Sequence, residues 1–297
     1  MDHRPAPFLL PLLLAAVAPA QAPDREAPRA SILHAADRGE AAAVRARELA
    51  PGMLPSAGAR LAAPAPGKRG EGCTVGVVSG RATPGGRPLL WKNRDIRRRP
   101  NKVLSFPGRD LPFLCFVTDA PPEGSSAWAD LTAARFAIPM SASNDLPGPG
   151  GDREGRVMKR ALGTCRTVAD FAALLEATAA QGRGVKANFG VIDARGGAAL
   201  FETSSHRHRR FDAGDPEEAP LGFIVRANCA LTGRGRGSGF GRYERARRLL
   251  ARAARRKRLD RDFMLGTVCR DLFTFARDPY PLGRKGEPPI DTAATIS

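Results

Sequence analysis

A cysteine, a lysine and an aspartate stand at the two ends of one predicted hairpin. Cys73 follows Gly72 and opens the apolar run 74–78. Residues 83–87, Thr-Pro-Gly-Gly-Arg, supply a turn, and 88–91 form a second strand-like run that ends in Lys92-Asn93-Arg94-Asp95. A two-stranded ribbon of this kind brings the thiol back beside a cation and a carboxylate. A cysteine attacks as its thiolate, and a neighbouring cation raises the thiolate fraction. A cut between Gly72 and Cys73 would also give the cysteine an α-amino group. Such a group, with an ordinary pKa near ~8, takes up the thiol proton. The chemistry is then acyl transfer from an amide. By residue type alone, Cys73 is equally a buried structural cysteine, and the alternative for Lys92, Arg94 and Asp95 is a charged strand end in water.

Further polar residues follow at strand and helix ends. Asn144 closes Ser141-Ala142-Ser143-Asn144-Asp145. Asn228 comes just after the apolar strand 223–226, and Arg242 comes four residues after Ser238, where a helix begins. Each is also readable as a turn or solvated residue. Asn188 reads as a strand-edge asparagine. His206-Arg207-His208 would put both imidazoles on one face of a strand, but no acidic or cysteine partner is near in sequence and Arg207 would repel a cation. The five cysteines, 73, 115, 165, 229 and 269, include no CxxC pair. Neither zinc nor a thioredoxin-like site is indicated, and the odd number leaves at least one free thiol in an oxidising compartment.

The Gly72-Cys73 hairpin followed by Lys92-Asn93-Arg94-Asp95 resembles the N-terminal-nucleophile (Ntn) amidohydrolases. The group is that of choloylglycine hydrolase, penicillin V acylase and isopenicillin-N acyltransferase. The resemblance covers residues 72–297 and implies an α+β fold, a four-layer αββα sandwich. It implies self-cleavage between Gly72 and Cys73, with Cys73 as nucleophile and Asp95 holding the new α-amino group. Lys92 takes the place beside the thiol where the hydrolases usually carry arginine. Asn228, with a backbone N–H, would donate to the oxyanion. Arg242 would brace the nucleophile's surroundings, and Asn144 would lie in a substrate-pocket loop. The partner implied is a small-molecule amide, and no metal or organic cofactor is implied. Water as second acceptor makes a hydrolase; an amine makes an acyltransferase. Relatives carry further strands after the position of Thr295-Ile296, so the sandwich is expected to be short of its C-terminal strands and to leave an unpaired edge.

The elements that must position these residues alternate. Runs 113–118, 135–141, 188–193, 198–202 and 223–226 read as strands, with Pro139 marking an edge or a bulge. Residues 168–175 read as a helix capped by Thr167, and 243–257 and 263–275 as two more. Residues 31–50 begin a helix in a pro-region that spans 23–72 and ends in a Pro, Gly, Ala and Arg linker suited to cutting.

The chain of 297 residues is long enough for one large domain or two small ones, and its 42% hydrophobic content is ordinary for a globular core. Residues 8–17 form an apolar stretch too short to span a bilayer, and Ala20-Gln21-Ala22 fits a signal-peptidase site. An exported protein cut after Ala22 is therefore expected. The net charge of +17 is carried mainly by arginine, strongly so over 245–261. Without a recognition motif it does not indicate a specific nucleic-acid partner. Homo-oligomerisation stays open. The alternative to an enzyme is an inactive, truncated, exported basic protein that binds polyanions. A papain-like protease would need His206 or His208 as the partner of Cys73.

Overall fold

The computed structural model describes residues 72–95, 101–118, 127–143, 145–151, 153–233, 238–273, 279–280 and 293–296. The expected signal peptide, its cleavage after Ala22, the pro-region up to Glu71 and Asn144 lie outside the described residues.

The opening ribbon forms as read. β1 (Gly72–Val78) pairs antiparallel with β2 (Leu89–Asp95) across a 3-10 turn at Gly80–Ala82. A seven-stranded antiparallel sheet then runs in chain order. It comprises β3 (Asn101–Phe106), β4 (Phe113–Thr118), β5 (Ala127–Thr132), β6 (Ala137–Ala142), β7 (Ala187–Ile192), β8 (Ala198–Thr203) and β9 (His208–Asp212). β10 (Phe223–Arg226) returns to the first sheet and pairs with β1. β13 (Ala293–Ile296) pairs with β2, giving the order β10-β1-β2-β13. Residues 293–296 are thus the outer strand of the described sheet on the β2 side. A short pair, β11 (Leu272–Phe273) and β12 (Pro279–Tyr280), stands apart.

The two sheets face each other. Val75, Val77 and Leu90 pack in one core with Ala137, Ala198 and Leu200 of the larger sheet. That core continues through the smaller sheet to Tyr243, Ala246 and Leu250 of α3 (Phe240–Ala254) and Met264 of α4 (Arg261–Gly266). A second core lies on the larger sheet's other face. There Met158 and Leu162 of α1 (Glu154–Thr164) and Phe171 and Leu175 of α2 (Val168–Ala177) cover Phe136, Ile138, Phe189 and Phe201. Burial of these apolar faces on both sides of the larger sheet is the main driving force for the layering.

Two local readings are corrected. Pro139 sits within β6, between β5 and β7, not on an edge; the ladder toward β7 skips Ile138 and Pro139, as a residue without an N–H requires. The helix expected over 263–275 stops at Gly266. Thr267 (φ −121°, ψ −62°) leaves the helical region, a 3-10 turn follows at Val268–Arg270, and β11 begins at Leu272. The Thr167 cap of α2 forms a full capping box with Asp170. No helix among the described residues is long and apolar enough to cross a membrane.

Candidate functional site

The ribbon's register decides what surrounds the thiol. Cys73 lies directly opposite Arg94, and Val75 opposite Lys92. Residues paired directly across a ladder share a face, as do residues two apart. Cys73, Lys92 and Arg94 therefore project from one face of the ribbon, and Thr74 and Asn93 from the other. Asp95 closes β2 opposite Gly72.

Cys73 is held from long range. Its backbone N–H donates to Asn228 Oδ1 at 2.8 Å. Arg242 Nη1 donates to the Cys73 carbonyl at 2.5 Å and to Thr74 Oγ1 at 2.8 Å. Arg242 Nη2 reaches the same Asn228 Oδ1 at 2.7 Å. Two N–H donors on one atom fix which end of the Asn228 amide is oxygen. The Nδ2 end donates to Ala142 O at 2.9 Å. One Nδ2 hydrogen is thus engaged, and the oxyanion role would fall to the other.

The local sequence explains these positions. β10 ends at Arg226, and Asn228 sits in an isolated bridge to Ser238. Gly239, with φ +82°, then turns the chain into α3. A side chain at Gly239 would strike the Arg242 guanidinium, so glycine is required by both backbone conformation and space. Arg242, in the first turn of α3, is consequently buried against β1. Gly72 is restricted by space alone: a Cβ there would overlap Arg242 and come within 2.7 Å of Asn228 Oδ1.

Lys92 is 2% exposed. Its ammonium nitrogen donates to the Met140 carbonyl, interacts with the Cys73 thiol, and lies 5.7 Å from the centre of the Trp128 ring. Burial holds its pKa below the ordinary lysine value, and Arg94 adds to that; Cys73 and Asp130 act in the opposite direction. Arg94 is not a solvated surface residue. It is buried, stacks 4.1 Å over Trp128 and donates to Asn101 Oδ1 at 2.5 Å.

Two residues support this cluster that the sequence did not place in the site: Asn188, read as a strand-edge asparagine, and Asp130, which was not named. Asn188 on β7 is fully buried, and its Nδ2 donates to Ser141 Oγ (3.2 Å) and to the carbonyls of Ala227 and Cys229 (3.1 Å each). It grips the backbone on both sides of Asn228. Asp130 on β5 accepts from the Phe116 N–H at 3.0 Å. Burial pushes its carboxyl up to about 7, against the opposing pull of the Cys115 thiol, the Phe116 N–H, Lys92 and Lys159. The alternation of β2 was the available signal for Arg94. No sequence signal marks Asn188, whose partners come from other strands.

Behind Asn228 lies a buried ion pair. Glu202 accepts from Arg226 Nε (2.5 Å), from the N–H groups of Leu231 (2.8 Å) and Thr232 (2.9 Å), and from Thr232 Oγ1 (2.5 Å). Both side chains are fully buried, and the pair pins the segment after β10.

His206 and His208 do not meet at one site. The first contacts Ala179 O at 2.8 Å and the second lies 3.5 Å from Glu176. Among the described residues no group of three or more His, Cys, Asp or Glu is placed to hold a metal. None of the five cysteines forms a disulfide, and all are buried. A cavity of about 410 Å³ opens between Phe223 and the Arg248 and Arg252 face of α3, and shares no lining residue with the Cys73 cluster.

No protein-family model and no curated protein matches the chain. Solved structures do. Two variants of conjugated bile acid hydrolase from Clostridium perfringens are each 10% identical over aligned residues. One covers 67% of this chain and 79% of its own, with a TM-score of 0.46; the other covers 70% and 81%, with 0.44. Penicillin V acylase from Agrobacterium tumefaciens is 12% identical, covers 75% of this chain and 79% of its own, and has a TM-score of 0.42.

Proposed function

We propose that the chain is an exported cysteine amidohydrolase with a four-layer αββα Ntn fold, activated by self-cleavage between Gly72 and Cys73. The observation that carries this reading is the convergence of Asn228 and Arg242, from 155 and 169 residues away, on the backbone of Cys73. A structural cysteine at a strand end needs no such grip.

In the released form the Cys73 α-amino group stays on Asn228 Oδ1 and takes the thiol proton. The thiolate attacks the carbonyl carbon of a linear amide. The second Nδ2 hydrogen of Asn228 and a backbone N–H stabilise the oxyanion. The amine leaves with the proton, and water then hydrolyses the thioester and restores the thiol. Arg242 holds the Cys73 carbonyl so that thiol and amine keep their relative positions. Asp95 adds a second hold on the α-amino group, and Asn144 contributes to the substrate loop.

Intact mass and N-terminal sequencing of the purified protein test this. The expected chain begins at Cys73, Cys73→Ala retains Gly72, and turnover of an amide panel is lost in that variant. A wild-type chain that keeps Gly72 through long incubation and hydrolyses no amide would leave the inactive, basic binding protein as the better reading.

A further inference from the structure

We propose that Lys92 is the general base that activates the Cys73 thiol for cleavage of the Gly72–Cys73 bond. The inference rests on the reading of Cys73 as a self-released nucleophile. It addresses a step that the released enzyme's own base cannot serve. Before cleavage the Cys73 nitrogen is a peptide amide with no basic lone pair, and its hydrogen is donated to Asn228 Oδ1. Neither the guanidinium of Arg242 nor the carboxamide of Asn228 is a side-chain type that serves as a base.

Among the described residues, Lys92 is the titratable side chain that the structure sets on the thiol. It shares the thiol's face of the ribbon, two pairs along in register, and its ammonium nitrogen is anchored by Met140 O. The groups that face it are Cys73 on β1, Arg94 on β2, Asp130 and Trp128 on β5, and Met140 on β6. Burial and Arg94 favour the neutral amine, while Cys73 and Asp130 favour the ammonium. A buried lysine can supply the neutral amine that a base requires; an arginine at the same place cannot.

The step balances without an external redox partner. The neutral Lys92 amine takes the Cys73 thiol proton, and the thiolate attacks the Gly72 carbonyl carbon. The tetrahedral adduct breaks its bond to the Cys73 nitrogen, and that nitrogen receives the proton back from the Lys92 ammonium. The product is a thioester between Gly72 and Cys73 Sγ. Water hydrolyses it to a Gly72 carboxylate and leaves Cys73 with a free thiol and α-amino group.

The test follows cleavage of the full-length chain, made by cell-free synthesis, by intact mass across a range of pH. Two variants are used so that a folding defect in one does not decide the matter. Lys92→Arg keeps the charge, and Lys92→Gln keeps an uncharged hydrogen-bonding group. Both are expected to cleave at least ~100-fold more slowly than wild type, the scale of general-base catalysis. The wild-type rate is expected to climb with pH as Lys92 loses its proton and then level off. Cleavage of either variant within about threefold of wild type, or a wild-type rate independent of pH, overturns this role while leaving the amidohydrolase reading intact. A wild-type chain that never cleaves removes both.

Discussion

The side-chain oxygen of Asn228 lies 2.8 Å from the backbone nitrogen of Cys73, and the same oxygen accepts from Arg242 at 2.7 Å. One atom therefore couples the start of β1 to the first turn of α3. Replacing it by a carbon leaves two buried donors without their acceptor, at about 1–3 kcal/mol each. Asn228→Leu is expected to lower the unfolding free energy by about 2–4 kcal/mol and to stop both self-cleavage and amide turnover. Asn228→Asp keeps an acceptor and is expected to lose much less stability. Urea unfolding of the two variants checks this, and equal loss in both would show that the acceptor is not what matters.

Arg242 makes its bonds through a planar fork: one nitrogen serves Cys73 O and Thr74 Oγ1, the other Asn228 Oδ1. An ammonium is a point donor and cannot span these positions. Arg242→Lys is expected to cost about 2–3 kcal/mol, from charged hydrogen bonds worth ~1.5–3 kcal/mol each. It is also expected to slow turnover more than it changes KM, because the fork positions the nucleophile. A variant within about 0.5 kcal/mol of wild type in urea would contradict the arrangement.

A Cβ at Gly72 would meet both Arg242 and Asn228, whereas one at Gly241, on the exposed side of α3, would meet nothing within 4 Å. Gly72→Ala is therefore expected to displace the Cys73 backbone and slow self-cleavage at least tenfold. Gly241→Ala serves as control and is expected to stabilise by about 0.5–1 kcal/mol, as glycine-to-alanine in a helix does. Intact-mass time courses read the first and thermal unfolding the second. Cleavage of Gly72→Ala at the wild-type rate would mean that this contact is not tight in solution.

How much of this was legible in the sequence depends on the range of the interaction. The ribbon was, because the short strand-like runs 74–78 and 88–91, whose side chains alternate between faces once paired, and the glycine turn between them are local signals. The same alternation places Arg94 beside Cys73, but its position in a charged cluster suggested solvent instead. Asn228 and Arg242 were named only through the resemblance to the amidohydrolases; the bonds linking them to Cys73 were not legible, since they cross 155 and 169 residues. Asn188 reads as an ordinary strand residue because its three acceptors come from β6 and from the segment after β10. α1 was hidden by a glycine- and proline-rich approach at 147–151 and by Gly155 and Gly163 within it. Pro139 misled because a missing N–H can be absorbed by a local skip in one ladder as well as by an edge.

Asp130 supplies a stability test that does not depend on catalysis. Burial raises its carboxyl from an ordinary 3.8 to about 7, so between those values the folded chain binds a proton that the unfolded chain has released. Unfolding free energy therefore falls as pH rises through this window and is flat above the folded pKa. A shift of about three units corresponds to a loss on the order of 4 kcal/mol, taken as an upper bound. Asp130→Asn keeps an oxygen for the Phe116 N–H and removes the ionisation. It is expected to match wild type in urea near pH 3, where the carboxyl is protonated in both states, and to exceed it near pH 8. The same change removes a negative charge that favours the Lys92 ammonium, so the rising limb of self-cleavage should move to lower pH. An Asp130→Asn chain less stable than wild type near pH 8 would mean that the carboxylate is stabilised as the ion in the folded state, and the sign of the argument would reverse.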